Sequence, residues 1–331
     1  MQSTYTYKDI SLVPRCISKV RSRKDIDLSL LTPKLKLKIP IMPAPMDTIS
    51  GIKMSEMFYE NGMLGMVHRF KSIEDRLFEY KSLNDKGMDA IIAIGLDEED
   101  IVEKMMDLGA RYFILDIANG FNTAVEPMMK FIRKQKDAYV ICGNVASKEG
   151  FEYLADLGVD AIRVGIGNGS MCTTSIMTGV GQGIVSALNE CAEQKSKMNS
   201  ESLIIADGGI TNVGDISKAL GLGGDLVMMG RMFAGTKESE GNILKYNGKL
   251  YKAYRGSASF GVQRKSKKNP YYIEGDETIV EYKGSVQNII DQIDAGLRSS
   301  FSYMGAKNLT EFNQNADFVF YTMDDKLFKN S

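Results

Sequence analysis

The chain has 331 residues, 44% hydrophobic and 25% charged, a globular composition with material for a sizeable core in one large domain or two ordinary ones. Basic residues number 41 against 42 acidic ones, so the net charge of −1 gives no overall basic face for nucleic acid or an anionic membrane. A Ser-His-Asp triad or a histidine-rich metal centre would have to be built on His68 alone, and the four scattered cysteines (Cys16, Cys142, Cys172, Cys191) lack the spacing of a zinc site or a disulfide framework.

Residues 1–38 read as an arm leading into the first strand. Its opening, Met1 to Tyr7, has no basic-then-apolar signal, and no later run approaches the ~20 apolar residues of a membrane span. The expected location is therefore the cytoplasm, with no membrane partner. Apolar runs at residues 39–42, 63–67, 90–94, 112–117, 139–143, 161–164, 203–206 and 226–229 read as strands, most of them followed by a helical pattern. Residues 98–108 carry Ile101, Met105 and Leu108 on one stripe, and residues 148–157 carry Phe151, Leu154 and Leu157 on another. Three helices end alike, in Leu108-Gly109, Leu157-Gly158 and Leu222-Gly223, where a glycine can take the left-handed cap. Eight such strand–helix units predict an α/β protein, a single (β/α)8 barrel spanning residues 1–331. The span between the His68 strand and the Ala90 strand is too short for an inserted domain. Residues 241–283 break the rhythm with Lys-Tyr-Asn-Gly-Lys, a Gly/Ser stretch and a basic run, and read as a flap-like insertion.

Barrel chemistry sits where strands run out into loops. The most informative strand end is Gly165-Ile166-Gly167-Asn168-Gly169-Ser170-Met171-Cys172-Thr173-Thr174. Glycines there let the backbone approach a ligand, Cys172 offers a nucleophile, and the threonines bring hydroxyls to whatever the sulfur attacks. Asp207-Gly208-Gly209 and Gly230-Arg231 end the seventh and eighth strands, where barrels commonly bind phosphate, and Asp207 suits sugar hydroxyls. Asp116 has the plainer alternative of a helix cap, Asn119-Gly120 that of a turn, and His68 that of a packing residue. Cys142, inside a strand, and Cys191, in a helix, read as structural.

The cysteine loop, with Thr178-Gly179-Val180-Gly181 behind it, resembles the IMP dehydrogenase / GMP reductase family. Pro45-Met46-Asp47-Thr48, Gly143-Asn144-Val145, Ala206-Asp207-Gly208-Gly209-Ile210, Met228-Met229-Gly230, Tyr254-Arg255-Gly256-Ser257 and Gly305-Ala306-Lys307-Asn308-Leu309 recur in family order, so the resemblance spans the chain. It implies a barrel that assembles as a homotetramer. Cys172 would attack purine C2, and Thr174 with Glu274 would move the proton. Asp207 would hold the ribose, while Ser170, Gly208, Gly209, Gly230 and Arg231, with Tyr254, Gly256 and Ser257, would hold the 5′-phosphate. Asp116, Asn119, Gly120, Asn144, Gly165 and Gly167 would face the dinucleotide cofactor, and carbonyls of Gly167, Gly169 and Cys172 a monovalent cation such as K+. Arg231 replaces a small residue common in the family. The dehydrogenase branch uses an adjacent Arg-Tyr pair, whereas here Arg264 and Tyr271 are separated and the usual regulatory insertion is missing. The expectation is therefore the reductase branch, turning GMP into IMP and ammonia with NADPH. The alternative is a dehydrogenase lacking the regulatory domain, turning IMP into XMP with NAD+.

Overall fold

A computed structural model describes residues 3–134, 137–256 and 276–321. Its centre is a sheet of eight strands: β1 (Ile41–Pro43), β2 (Gly65–Val67), β3 (Ala90–Ile94), β4 (Tyr112–Asp116), β5 (Tyr139–Val145), β6 (Ala161–Val164), β7 (Leu203–Asp207) and β8 (Leu226–Met229). They pair in parallel in the order β1-β8-β7-β6-β5-β4-β3-β2, and the two end strands lie against each other, bringing the sheet almost to closure. Side chains of β3, β6 and β8 are buried throughout, which is why β3 and β8 read as unbroken apolar runs, and β6 as one interrupted only by Arg163, and not as alternating strands.

The longer helices are α1 (Ile52–Glu60), α2 (Ile73–Asn84), α3 (Glu99–Asp107), α4 (Val125–Ile132), α5 (Lys148–Asp156), α6 (Ile184–Met198), α7 (Val213–Gly221) and, after β8, α8 (Val286–Tyr303), and a short helix over Thr174–Thr178 follows the cysteine. Several begin where a short polar side chain accepts an orphan backbone N–H: Ser72 from Asp75, Ser147 from Gly150, Asn212 from Asp215 and Ser285 from Gln287. The stripes expected from the sequence face inward, with Ile101, Met105, Phe151 and Leu154 buried. Gly109, Gly158 and Gly223 all have positive φ, as the repeated Leu-Gly ending predicted.

The arm is more structured than the sequence suggested. Ile10–Leu12 pairs antiparallel with Phe318–Phe320 near the other end of the described chain, and Leu30–Leu31 pairs with Lys36–Leu37 just before β1. The late insertion, expected as a flap, lies only partly within the described residues. Its described parts form an antiparallel sheet of β9 (Leu244–Tyr246), β10 (Lys249–Arg255) and β11 (Glu277–Glu281). Asn247 and Gly248, both at positive φ, make the β9–β10 turn that an Asn-Gly pair favours. Ser257, Arg264, Tyr271 and Glu274 lie outside the described residues. Among the described residues no helix is long and apolar enough to cross a membrane.

Phe151 on α5 is fully buried. Phe151→Ala is expected to lower the unfolding free energy by about 3–5 kcal/mol in urea titration, and a loss below ~1 kcal/mol would mean this ring does not dock α5.

Candidate active site

The C-terminal ends of the strands surround a cavity of about 460 Å³, within the range of small-molecule sites. The cysteine loop leaves β6 through Gly165, whose φ is +138° and where a Cβ would fall 2.1 Å from the Asp207 carbonyl oxygen. Only a glycine lets the loop cross the end of β7 there. Gly208, at φ +96°, returns the contact, since a Cβ on it would lie 3.0 Å from the Asn168 carbonyl carbon and the Gly169 nitrogen. The two loops therefore nest backbone against backbone. Asn168 fastens its own loop by donating from Nδ2 to the carbonyls of Ile166 (3.2 Å) and Gln182 (2.9 Å).

Inside this frame the Cys172 N–H donates to the Gly169 carbonyl at 3.0 Å, and the thiol Sγ lies 3.1 Å from Thr174 Oγ1. Both side chains line the cavity. Cys142 and Cys191 differ in kind: both are buried, and desolvation pushes each thiol up to about 12, so they stay protonated at neutral pH. Ser170 Oγ and the Tyr254 hydroxyl are 3.0 Å apart on the wall that also holds Gly209, Gly230, Arg231 and Gly256. Burial raises the Tyr254 phenol, so it remains a neutral donor, although Ser170 and Arg231 partly oppose that shift.

Another part of the cavity lining is ionic. Arg163, in the middle of β6, is 7% exposed and bridges two carboxylates. Its Nη1 donates to Asp116 Oδ1 at 2.8 Å and its Nη2 to Asp207 Oδ2 at 2.9 Å. Arg69 Nε donates to Asp116 Oδ2 (3.2 Å), and Asn144 Nδ2 to Asp207 Oδ2 (2.8 Å) and to the Gly165 carbonyl (2.7 Å). Burial alone would raise the Asp116 carboxyl, but the guanidinium groups of Arg163 and Arg69 outweigh it and hold the group below its ordinary value. Asp116 is thus an acceptor held in an ionic network, not a helix cap.

Of the residues singled out in the sequence, Cys172, Thr174, Ser170, Asp207, Gly208, Gly209, Gly230, Arg231, Tyr254, Gly256, Asp116, Asn144, Gly165, Gly167 and Gly169 all border the one cavity. Asn119 and Gly120 do not. Asn119 Oδ1 closes a turn by accepting the Phe121 N–H, and Gly120 donates its N–H to the Asn144 carbonyl, so the pair props β5 from behind. His68 is buried and its Nδ1 accepts the Phe70 N–H, as befits a packing residue. Sequence reasoning missed Arg163, Arg69 and Phe70, which also line the cavity. For Arg163 the signal was present: an arginine inside Ala161-Ile162-Arg163-Val164, a run otherwise fit for burial. Among the described residues no group of three His, Cys, Asp or Glu side chains is placed to hold a metal ion.

The IMP dehydrogenase / GMP reductase domain model matches residues 4–326. The GMP reductase of Clostridium acetobutylicum is 38% identical in an alignment covering 100% of this chain and 98% of that protein. The GMP reductases of Bacillus licheniformis and Bacillus subtilis are each 38% identical, with 96% of either chain covered.

Removing Arg163 leaves two carboxylates buried without their shared cation, so Arg163→Met is expected to cost about 3–5 kcal/mol of stability near neutral pH. In the native protein the Asp116 contribution is complete above its unfolded pKa of about 3.9 and fades only as the pH falls through its lower folded value. In the variant the carboxyl shifts upward, so its deficit should narrow between about pH 7 and about pH 5 in unfolding titrations. A deficit that ignores pH would show that these carboxylates are not what Arg163 compensates.

Proposed function

Because the chain belongs to the IMP dehydrogenase / GMP reductase family, we propose that it catalyses the reductive deamination of GMP to IMP and ammonia with NADPH. The observation that carries this reading is the Cys172 thiol 3.1 Å from the Thr174 hydroxyl, at the wall of a cavity of nucleotide size. The full-length relatives named GMP reductase support the direction of the reaction.

Cys172, as thiolate, adds to C2 of the purine, forming a carbon–sulfur bond. Thr174, backed by Glu274, delivers the proton with which the 2-amino group leaves as ammonia, leaving a thioimidate on Cys172. This relay needs no histidine, in keeping with a chain that has one. NADPH, when bound, supplies a hydride to the same carbon. The sulfur then departs with its electron pair, regenerating the thiolate and releasing IMP. Asp207, oriented by Arg163 and Asn144, accepts from the ribose hydroxyls. Ser170, Tyr254 and Arg231 donate to the 5′-phosphate, together with backbone amides of Gly208, Gly209, Gly230 and Gly256 and the Ser257 hydroxyl.

The remaining wall suits a nicotinamide. Phe70 lines it with an aromatic ring that already carries the Arg69 guanidinium 4.9 Å from its centroid, and the Asp116 carboxylate, though bonded by Arg163 and Arg69, keeps acceptor capacity for an amide N–H. Asn144, Gly165 and Gly167 complete that side, and the Asn119-Gly120 turn supports it. Carbonyls of Gly167, Gly169 and Cys172 would hold K+, although the Gly169 oxygen would be shared with the Cys172 N–H. A homotetramer acting in the cytoplasm completes the proposal.

With GMP and NADPH the protein should consume the cofactor and release IMP and ammonia in equal amounts, and with IMP and NAD+ it should form little XMP. Steady XMP formation with GMP ignored would move the chain to the dehydrogenase branch and turn attention to Arg264 and Tyr271. Cys172→Ala should lower kcat by more than about a thousandfold while GMP binding, read by calorimetry, stays within about threefold. An equal loss from Cys191→Ala would defeat the assignment of the nucleophile.

A further inference from the structure

The N-terminal arm touches both loops that carry the chemistry. Tyr7 is 2% exposed, and its ring lies under the Gly208-Gly209 turn, where a Cβ on Gly209 would fall 3.4 Å from a ring carbon. Its backbone carbonyl accepts from Lys218 Nζ on α7 at 2.8 Å. Tyr5 grips the start of α6, where the cysteine loop ends: its carbonyl accepts the Val185 N–H at 3.1 Å and its own N–H donates to Ser186 Oγ at 2.9 Å. Thr4 Oγ1 accepts the Gly183 N–H at 2.7 Å. The arm is itself anchored, since Tyr5 packs on Phe320 with ring centroids 4.6 Å apart and Ile10–Leu12 pairs with Phe318–Phe320.

Glycine turns have no side chains with which to hold their own shape, so their geometry is set by what packs beneath them. We propose that residues 4–7 are a positioning element for the phosphate end of the nucleotide site, with the Tyr7 ring as the strut that fixes the Gly208-Gly209 turn. This rests on the reading that GMP binds there. The ring is the working part, because the buried Tyr7 hydroxyl has no hydrogen-bond partner among the described residues. Burial, with Asp215 and Asp207 adding to it, raises the phenol well above its ordinary value, so the group stays neutral.

Three variants separate the ring from its hydroxyl and its bulk: Tyr7→Phe, Tyr7→Leu and Tyr7→Ala. Backbone amide exchange over residues 183–186 and 207–211 is measured in the ligand-free protein, and KM for GMP and for NADPH in turnover. Tyr7→Ala should speed exchange at both segments and raise KM for GMP by about tenfold, with KM for NADPH within about twofold. Tyr7→Leu should fall between, and it decides the matter if Tyr7→Ala does not fold. Tyr7→Phe should match the wild type in both readouts. Faster exchange with an unchanged KM for GMP, an equal rise in both KM values, or a Tyr7→Phe variant as impaired as Tyr7→Ala would overturn the proposal. A wild type that does not reduce GMP would instead overturn the function proposed above, and the exchange data alone would then decide the positioning role.

Discussion

A guanidinium buried in a barrel strand fixes the two carboxylates at the mouth of this protein. Taking an arginine out of water costs several kcal/mol unless its donors are met, and Arg163 meets that demand with one carboxylate from the adjacent β7 and one from β4, two strands away on the other side. The consequence is positional. Asp116 at the end of β4 and Asp207 at the end of β7 are tied to one planar group, so they cannot move independently. Asn144 and Arg69 extend the tie to β5 and to the loop after β2. The site therefore has an ionic floor on one side, carried mainly by barrel strands, with Arg69 reaching in from the loop after β2.

The other side is built from backbone. Gly165 and Gly208 let two loops interlock at distances no side chain would permit, and this carries Cys172 over the cavity. The described stem of the late sheet closes the arrangement: Tyr254 meets Ser170, and the Asp276 N–H donates to the Met171 carbonyl beside the cysteine. At the same stem Arg255 Nε donates to both oxygens of Asp47 at 3.0 Å, fastening β10 to the loop after β1. A thiol, a neighbouring hydroxyl and a carboxylate fixed by Arg163 thus face one volume, the side chains on which the proposed covalent chemistry without histidine rests.

The barrel was legible because its signals are local and repeated. Apolar runs found β3, β6 and β8 at their observed limits, and three Leu-Gly endings marked helix ends by a backbone requirement that only glycine meets cheaply. Most of the cavity wall was legible too, since strand ends in a barrel converge on one face. What escaped depends on contacts between residues far apart in sequence. Arg163 looked like part of an apolar strand, and its meaning appears only when Asp116 and Asp207 come within reach, 47 and 44 residues away. Asn119 and Gly120 sit next to a true strand end yet turn behind β5, because Gly120 donates to the Asn144 carbonyl. The arm's pairing with Phe318–Phe320 has no local signature at all. The late sheet was half visible, in an Asn-Gly turn that the surrounding polar sequence concealed.

The central claim is that hydride reaches the carbon that Cys172 holds and that the 2-amino group leaves from that carbon. It is tested most directly by mixing the protein with GMP and NADPH dideuterated at nicotinamide C4, then weighing the nucleotide product and assaying ammonia. The account predicts IMP carrying one deuterium at C2, with one ammonia per NADPH consumed. Unlabelled IMP, or deuterium loss from the cofactor without ammonia, would contradict it.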